Sequence, residues 1–207
     1  MSFYSHIDLA FPVRGQPIAR DHGYALYGAV SRLIPGIHGA TWIGIHGIAG
    51  KLFDSKATLR VRIPVAKLGP LLALAGATLE VSGHRIEVGV PIVHALTPVA
   101  ALEARLVIIR LTGGISKPFD RAVFDARFVA EAQRQLVGHG IRGDLALCGR
   151  RSLRVAGQRV IGHAVRVVGL SPDDSIKLQI HGLGGKRAMG CGIFRPTRFL
   201  HEVPQVP

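Results

Sequence analysis

The sequence predicts an α+β fold built from two tandem ferredoxin-like domains, each with elements in the order β-α-β-β-α-β. Three observations carry this. The order is written once before Thr97-Pro98 and again after it, which divides the chain into residues 1–97 and 98–207. Hydrophobic residues make up 48% of 207 residues, enough for two small cores and too many for a disordered chain. No uncharged apolar run approaches the roughly 20 residues of a membrane span.

In the first half, Ile7 to Val13 reads as a strand. A helix is expected from Gly23 to about Ile37, with Leu26, Val30, Leu33 and Ile37 at helical spacing and Pro35 marking an early stop or kink. Trp42–Ile48 and Thr58–Ile63 are the next strands, the second alternating apolar and charged residues. Val65 to Ala75 reads as a short helix presenting Leu68, Leu71, Leu72 and Ala75. Leu79–Val81 and Arg85–Val88 form a hairpin about Ser82-Gly83.

The second half restarts with an apolar strand, Leu102–Leu111. Asp120 is suited to cap a helix running to about Val137, whose Phe124, Phe128, Ala132 and Leu136 recur every fourth residue. Leu153–Val155 and Val160–Val168 flank a hairpin turn at Ala156-Gly157. Ser171-Pro-Asp-Asp174 is a helix start, with Ser as cap, Pro in the first turn and acids at the positive end of the dipole. A last strand is expected near Cys191–Arg195, and residues 197–207 are expected to form an extended or disordered tail.

Lys and Arg number 26 against 13 acids, a formal +13. The excess is uneven: residues 1–104 hold 9 basic and 6 acidic residues (+3), and residues 105–207 hold 17 and 7 (+10). Such a field points to a polyanionic partner. Tandem domains of this RRM-like type, one far more basic, suggest RNA recognition on the sheets or in the cleft between them. Aromatic residues are only 6%, so phosphate and shape contacts are expected to outweigh base stacking. Cys148 and Cys191 are the only cysteines, which leaves neither a zinc motif nor a disulfide framework. The first residues do not read as a signal peptide, so a cytoplasmic protein with no membrane contact is expected.

Residues 182–192 contain five glycines, Gly182, Gly184, Gly185, Gly190 and Gly192, around Lys186-Arg187. Glycine permits positive φ and close backbone approach, and exposed N–H groups beside two cations suit phosphate. The alternative is a tight helix-to-strand crossover.

This segment, with Asp21–Tyr27, Gly44–Ile48 and Leu74–Leu79 plus Gly83–Arg85, resembles the repeat-RNA processing endoribonucleases of the RAMP superfamily, CRISPR-associated protein family six, in the variety found with type I-G (formerly I-U) systems. The resemblance covers nearly the whole chain and is most specific at the glycine segment. It implies cleavage of CRISPR precursor RNA within stem-loop repeats, without metal or other cofactor. The substrate's 2′-OH would attack the adjacent phosphate, leaving a 2′,3′-cyclic phosphate. It also implies a histidine near the end of the first helix as general acid/base. The residues agree, because the 13 acids are scattered rather than clustered as a two-metal nuclease needs.

His38, in Gly36-Ile-His-Gly39, matches that position and is the first of ten histidines to consider. His46 is second, since strand alternation would turn it toward RNA while Ile45 enters the core. His22, beside Asp21 at the helix start, is third. Tyr24 is a supporting residue, Tyr27 a core residue, and Lys51 a candidate cation. For RNA binding, Lys186 and Arg187 rank first, then Arg150, Arg151 and Arg154, then Arg127 and Arg134 along one helix face. His139, His163 and His181 are further residues to consider for RNA contact. A competing reading is a catalytically inert RAMP subunit that only binds guide RNA within an effector complex, with its other subunits as partners. A generic basic RNA binder is the third.

Overall fold

In the computed structural model, which describes residues 5–50, 57–112 and 120–197, the first strand runs from His6 to Gly15 (β1) and is the hub of one sheet. Its Ile7, Leu9, Phe11 and Val13 are buried. β1 pairs antiparallel with β3 (Thr58–Pro64), and β3 pairs with β2 (Gly44–Ala49). The far side of β1 is shared. Val13–Gly15 take β5 (His84–Val88), the partner of β4 (Thr78–Val81), and Ile7–Ala10 take β6 (Ile92–Ala95). Two successive strands thus fill the fourth-strand place of the ferredoxin-like order. β6 went unread because all four of its residues are exposed, so it carries no apolar alternation.

The first helix, α1, spans Gly23–Leu33 and buries Leu26, Tyr27, Ala29 and Val30. It ends before Ile37 because Pro35 forces Ile34 into an extended conformation, ψ 102°. The helix expected over Val65–Ala75 is broken into a 3-10 turn (Val65–Lys67), α2 (Leu68–Leu71) and a second 3-10 turn (Leu72–Leu74). The tighter period buries Leu71 and Leu74 and exposes Leu72, which corrects the expected face.

The second sheet has the order β10-β7-β9-β8. It comprises β7 (Leu102–Val107), β8 (Asp144–Val155), β9 (Gln158–Val168) and β10 (Arg195–Pro196). α3 (Arg121–Gly138) is capped by Asp120, whose carboxylate accepts from the N–H groups of Ala122 (2.8 Å) and Val123 (3.2 Å). Phe124, Phe128, Ala132 and Leu136 are all buried. α4 (Pro172–His181) is capped by Ser171, which accepts from Asp174 N–H. Among the described residues, no helix is long and apolar enough to cross a membrane.

A buried ion pair ties the halves together. Asp8 on β1 and Arg62 on β3 are 5% and 1% exposed. Arg62 Nε and Nη2 donate to the two Asp8 carboxylate oxygens at 2.7 and 3.0 Å. Its Nη1 donates to the carbonyls of Gln179 (2.9 Å) and Phe194 (2.7 Å) in the second half.

His46 belongs to this network, which corrects its expected exposure to RNA. The β2–β3 register shifts between Ile45 and Gly47, with His46 the extra residue of a β-bulge; it lies on the Asp8–Arg62 face of the sheet, opposite Ile45, and that face is covered by the second half rather than open. Its Nε2 lies 3.8 Å from Asp8, too far for a hydrogen bond. Burial pulls its pKa down to about 4 against the opposing attraction of Asp8. The unfolded chain then binds a proton at this site that the folded one does not. Stability is therefore expected to fall as pH drops from about 6.5 toward 4. Asp8 adds to this loss only at the acid end of that window, because its folded pKa is held well below the usual carboxylate range and its stabilisation is lost as pH falls through the unfolded carboxylate value near about 4. Denaturation midpoints at pH 7 and pH 4.5 should diverge less for His46→Asn than for the unaltered chain.

Candidate active site

The C-terminal end of α1, the turn that follows it and the β4–β5 turn enclose a cleft of about 730 Å³. That is ample for a nucleotide-sized ligand. Tyr24, Tyr27, Ser31 and Arg32 line it from α1, His38 and Gly39 from the turn, and Glu80, Ser82 and Gly83 from the hairpin. Met189 of the glycine segment closes it from the second half. His38 and Tyr24 thus line one cleft, and both are exposed.

The position of His38 follows from Tyr27. Its ring is buried, with centroids 6.0 Å from His38 and planes 25° apart. The Tyr27 hydroxyl accepts from Gly39 N–H at 3.0 Å. Stacking and hydrogen bond together hold the turn while leaving the imidazole open to solvent. A second concavity, about 530 Å³, is lined by Pro12, Arg14 and Glu87 and by no histidine.

The other histidines are placed differently. His22 Nδ1 is 2.8 Å from Ala19 O, and its Nε2 accepts from Ile48 N–H at 3.1 Å, which requires the neutral Nδ1–H form. Burial lowers its pKa. His22 therefore pins α1 to β2, and it is the Asp21 carboxylate that reaches the second half, accepting from Arg154 N–H at 2.9 Å. His163 is 1% exposed and packs on Phe128, so it does not face RNA. His139 and His181 stack on each other at 4.6 Å. Lys51 lies outside the described residues, as does the tail from residue 198.

The glycine segment is the crossover from α4 to β10. Gly182, Gly184, Gly190 and Gly192 all have φ between 65° and 85°. A Cβ at Gly182 would sit 2.0 Å from Gly192 O, and one at Gly184 2.2 Å from Ile108 O. The N–H groups donate within the chain: Gly182 to Leu178 O, Gly184 to Gln135 Oε1, Gly185 to Ile108 O, Gly190 to Arg187 O and Gly192 to Leu106 O. They are not available as a phosphate cradle, which corrects that reading of these five glycines. The charge the segment exposes is Lys186; Arg187 is half-buried and its Nε has no hydrogen-bond partner among the described residues. Burial, then Arg62, lowers the Arg187 pKa to about 10.

The remaining basic residues divide by what they touch. Arg150 donates to Asp125 (2.8 Å) and to Arg121 O. Arg127 donates to Thr112 O, and Arg134 pairs with Glu131 at 2.7 Å, so the expected cationic line along α3 is engaged with its own chain. Arg151 and Arg154 are exposed on β8. The Asp21 contact sets Arg154 beside the start of α1. Among the described residues, no group of three His, Cys, Asp or Glu is placed to hold a metal ion. Arg32 and Ser31 were missed by the sequence reading; their four-residue spacing from Gly28 and Tyr27 was the available signal.

A family model described as Cas6, "Cas6 Crispr", matches residues 7–198. A protein of Myxococcus xanthus (strain DK1622) named CRISPR-associated endonuclease Cas6 is 39% identical over 196 residues, covering 92% of this chain and 81% of that one. Among solved structures, a CRISPR associated protein Cas6 has 12% identity and a TM-score of 0.65, covering 93% of this chain and 99% of that one. A Cas6-related gene product from Pyrococcus furiosus gives the same values. An RAMP protein binding different RNA substrates gives 12% identity and a TM-score of 0.60, covering 92% and 98%. At this identity the structural likenesses concern the fold, which is that of tandem ferredoxin-like domains.

Proposed function

The chain belongs to the Cas6 family of CRISPR proteins, and on that premise we propose that it is a metal-independent endoribonuclease that cuts CRISPR precursor RNA within its repeats. The observation that best supports this is the cleft that exposed His38 lines together with Tyr24, walled by both halves of the chain. RNA carries its own nucleophile, so the protein needs only to move protons and stabilise charge. The 2′-oxygen attacks the adjacent phosphorus, the bond to the 5′-oxygen breaks, and the products are a 2′,3′-cyclic phosphate and a 5′-OH. The 2′-OH loses its proton and the departing 5′-oxygen gains one. His38 is the group for this transfer, since imidazole suits both directions near neutral pH.

Exposed Lys186, Arg151 and Arg154 are proposed to hold the RNA backbone, with the contact between Arg154 and Asp21 leading the strand from β8 toward the cleft. The domains divide the labour: residues 1–97 carry the proton-transfer group and residues 98–207 most of the positive charge. Cys148 and Cys191 are unpaired, which fits work in a reducing cytoplasm.

The test is incubation with a repeat RNA. We expect one cut per repeat, a 2′,3′-cyclic phosphate end, an unchanged rate in EDTA and no cut when the nucleotide at the scissile bond is 2′-deoxy. Cleavage of the deoxy substrate would overturn the internal-nucleophile mechanism, and loss of cutting in EDTA its metal independence. Tight binding of repeat RNA without any cut would favour the inert RAMP subunit.

A further inference from the structure

We infer that Arg32 is a catalytic residue that binds the non-bridging oxygens of the scissile phosphate as charge builds on them; this rests on the reading of the chain as an RNA-cutting enzyme. Arg32 ends α1 and lines the same cleft as His38. Its guanidinium folds back along the helix over Gly28: a Cβ on that glycine would lie 3.6 Å from Nη1. Its Nη2 donates to the Glu80 carbonyl at 3.1 Å, which fixes the group at the cleft wall. Among the described residues, no carboxylate lies within ion-pair distance of it. A guanidinium has five N–H donors and stays charged, so most of its donors are open to a ligand. Beside it, the Ser31 hydroxyl is buried against the cleft with no hydrogen-bond partner among the described residues. A buried polar group left unpaired costs stability unless a ligand meets it.

When the 2′-oxygen attacks, phosphorus becomes five-coordinate and its non-bridging oxygens gain negative charge. A cation already anchored there needs no reorganisation, and removing one such donor typically costs about 10²–10³-fold in rate. His38 moves the protons and Arg32 answers the charge.

The test is single-turnover cleavage at saturating protein, alongside affinity for the 2′-deoxy-blocked RNA. Arg32→Ala should cut about 10²–10³-fold more slowly while binding the blocked RNA within about threefold of the unaltered chain. Arg32→Lys should recover only part, because lysine lacks the planar fork. Added guanidinium chloride at millimolar concentration should speed Arg32→Ala and not His38→Ala. A rate for Arg32→Ala within about threefold of the unaltered chain would overturn the inference. So would a loss of affinity matching the loss of rate, which would make Arg32 an RNA anchor. If the unaltered chain leaves repeat RNA intact, the endoribonuclease reading itself fails.

Discussion

His38→Ala is expected to slow repeat-RNA cleavage by about 10²–10⁴-fold, the range that general acid–base groups supply. Affinity for a 2′-deoxy-blocked repeat should change little, because the basic residues proposed to hold the RNA lie elsewhere. Stability should also hold. The side chain is exposed, and the hydrogen bond fixing its turn runs from Gly39 N–H to Tyr27, not through the imidazole. Rate, affinity and melting temperature measured together separate the possibilities. A variant that still cuts at the unaltered rate would exclude His38 as the proton-transfer group.

The largest structural effect is expected at Arg62. Its replacement by alanine removes both hydrogen-bond donors of Asp8, which is 5% exposed and keeps only Arg60 at 3.6 Å as a charge partner, and takes the Arg62 donor from two carbonyls of the other half. Breaking a buried pair from one side typically costs about 3–5 kcal/mol. For a chain of this size, each kcal/mol moves the melting temperature by about 2–4 °C. A drop of about 6–20 °C is therefore expected by calorimetry. Adding Asp8→Asn should cost less than the sum of the two single changes, since the residues act as a unit. A melting temperature within about 2 °C of the unaltered chain would mean that the bridge contributes little.

Much of the fold was legible because its signals are local. Asp120 and Ser171 cap helices at the positions where their side chains announce them, and the period of Phe124, Phe128, Ala132 and Leu136 is a core stripe. The turn at Ser82-Gly83 has φ of 53° and 80°, the geometry a two-residue hairpin prefers. What escaped depends on distance along the chain. His46 faces away from Ile45 as alternation expects, but that face is covered by the second half, whose Gln179 and Phe194 lie far along the chain. The glycines of 182–192 were read as ligand-facing, whereas three of their five N–H partners, Leu106, Ile108 and Gln135, lie far away in sequence. For the cleft, the His38 position was legible, but Arg32 was not. An arginine near a helix end reads as solvated until Glu80 is seen to hold it.

The Arg62 bridge also bears on how the chain is made. Its acceptors, Gln179 and Phe194, are separated from it by 117 and 132 residues. As the first sheet leaves the ribosome, β1 and β3 bring Asp8 and Arg62 together, but the remaining guanidinium donors have nothing to bind. The first domain must stay open to water at that point until the last strand is synthesised. Synthesis of the segment around Phe194 is thus the step that seals the interior of the first half.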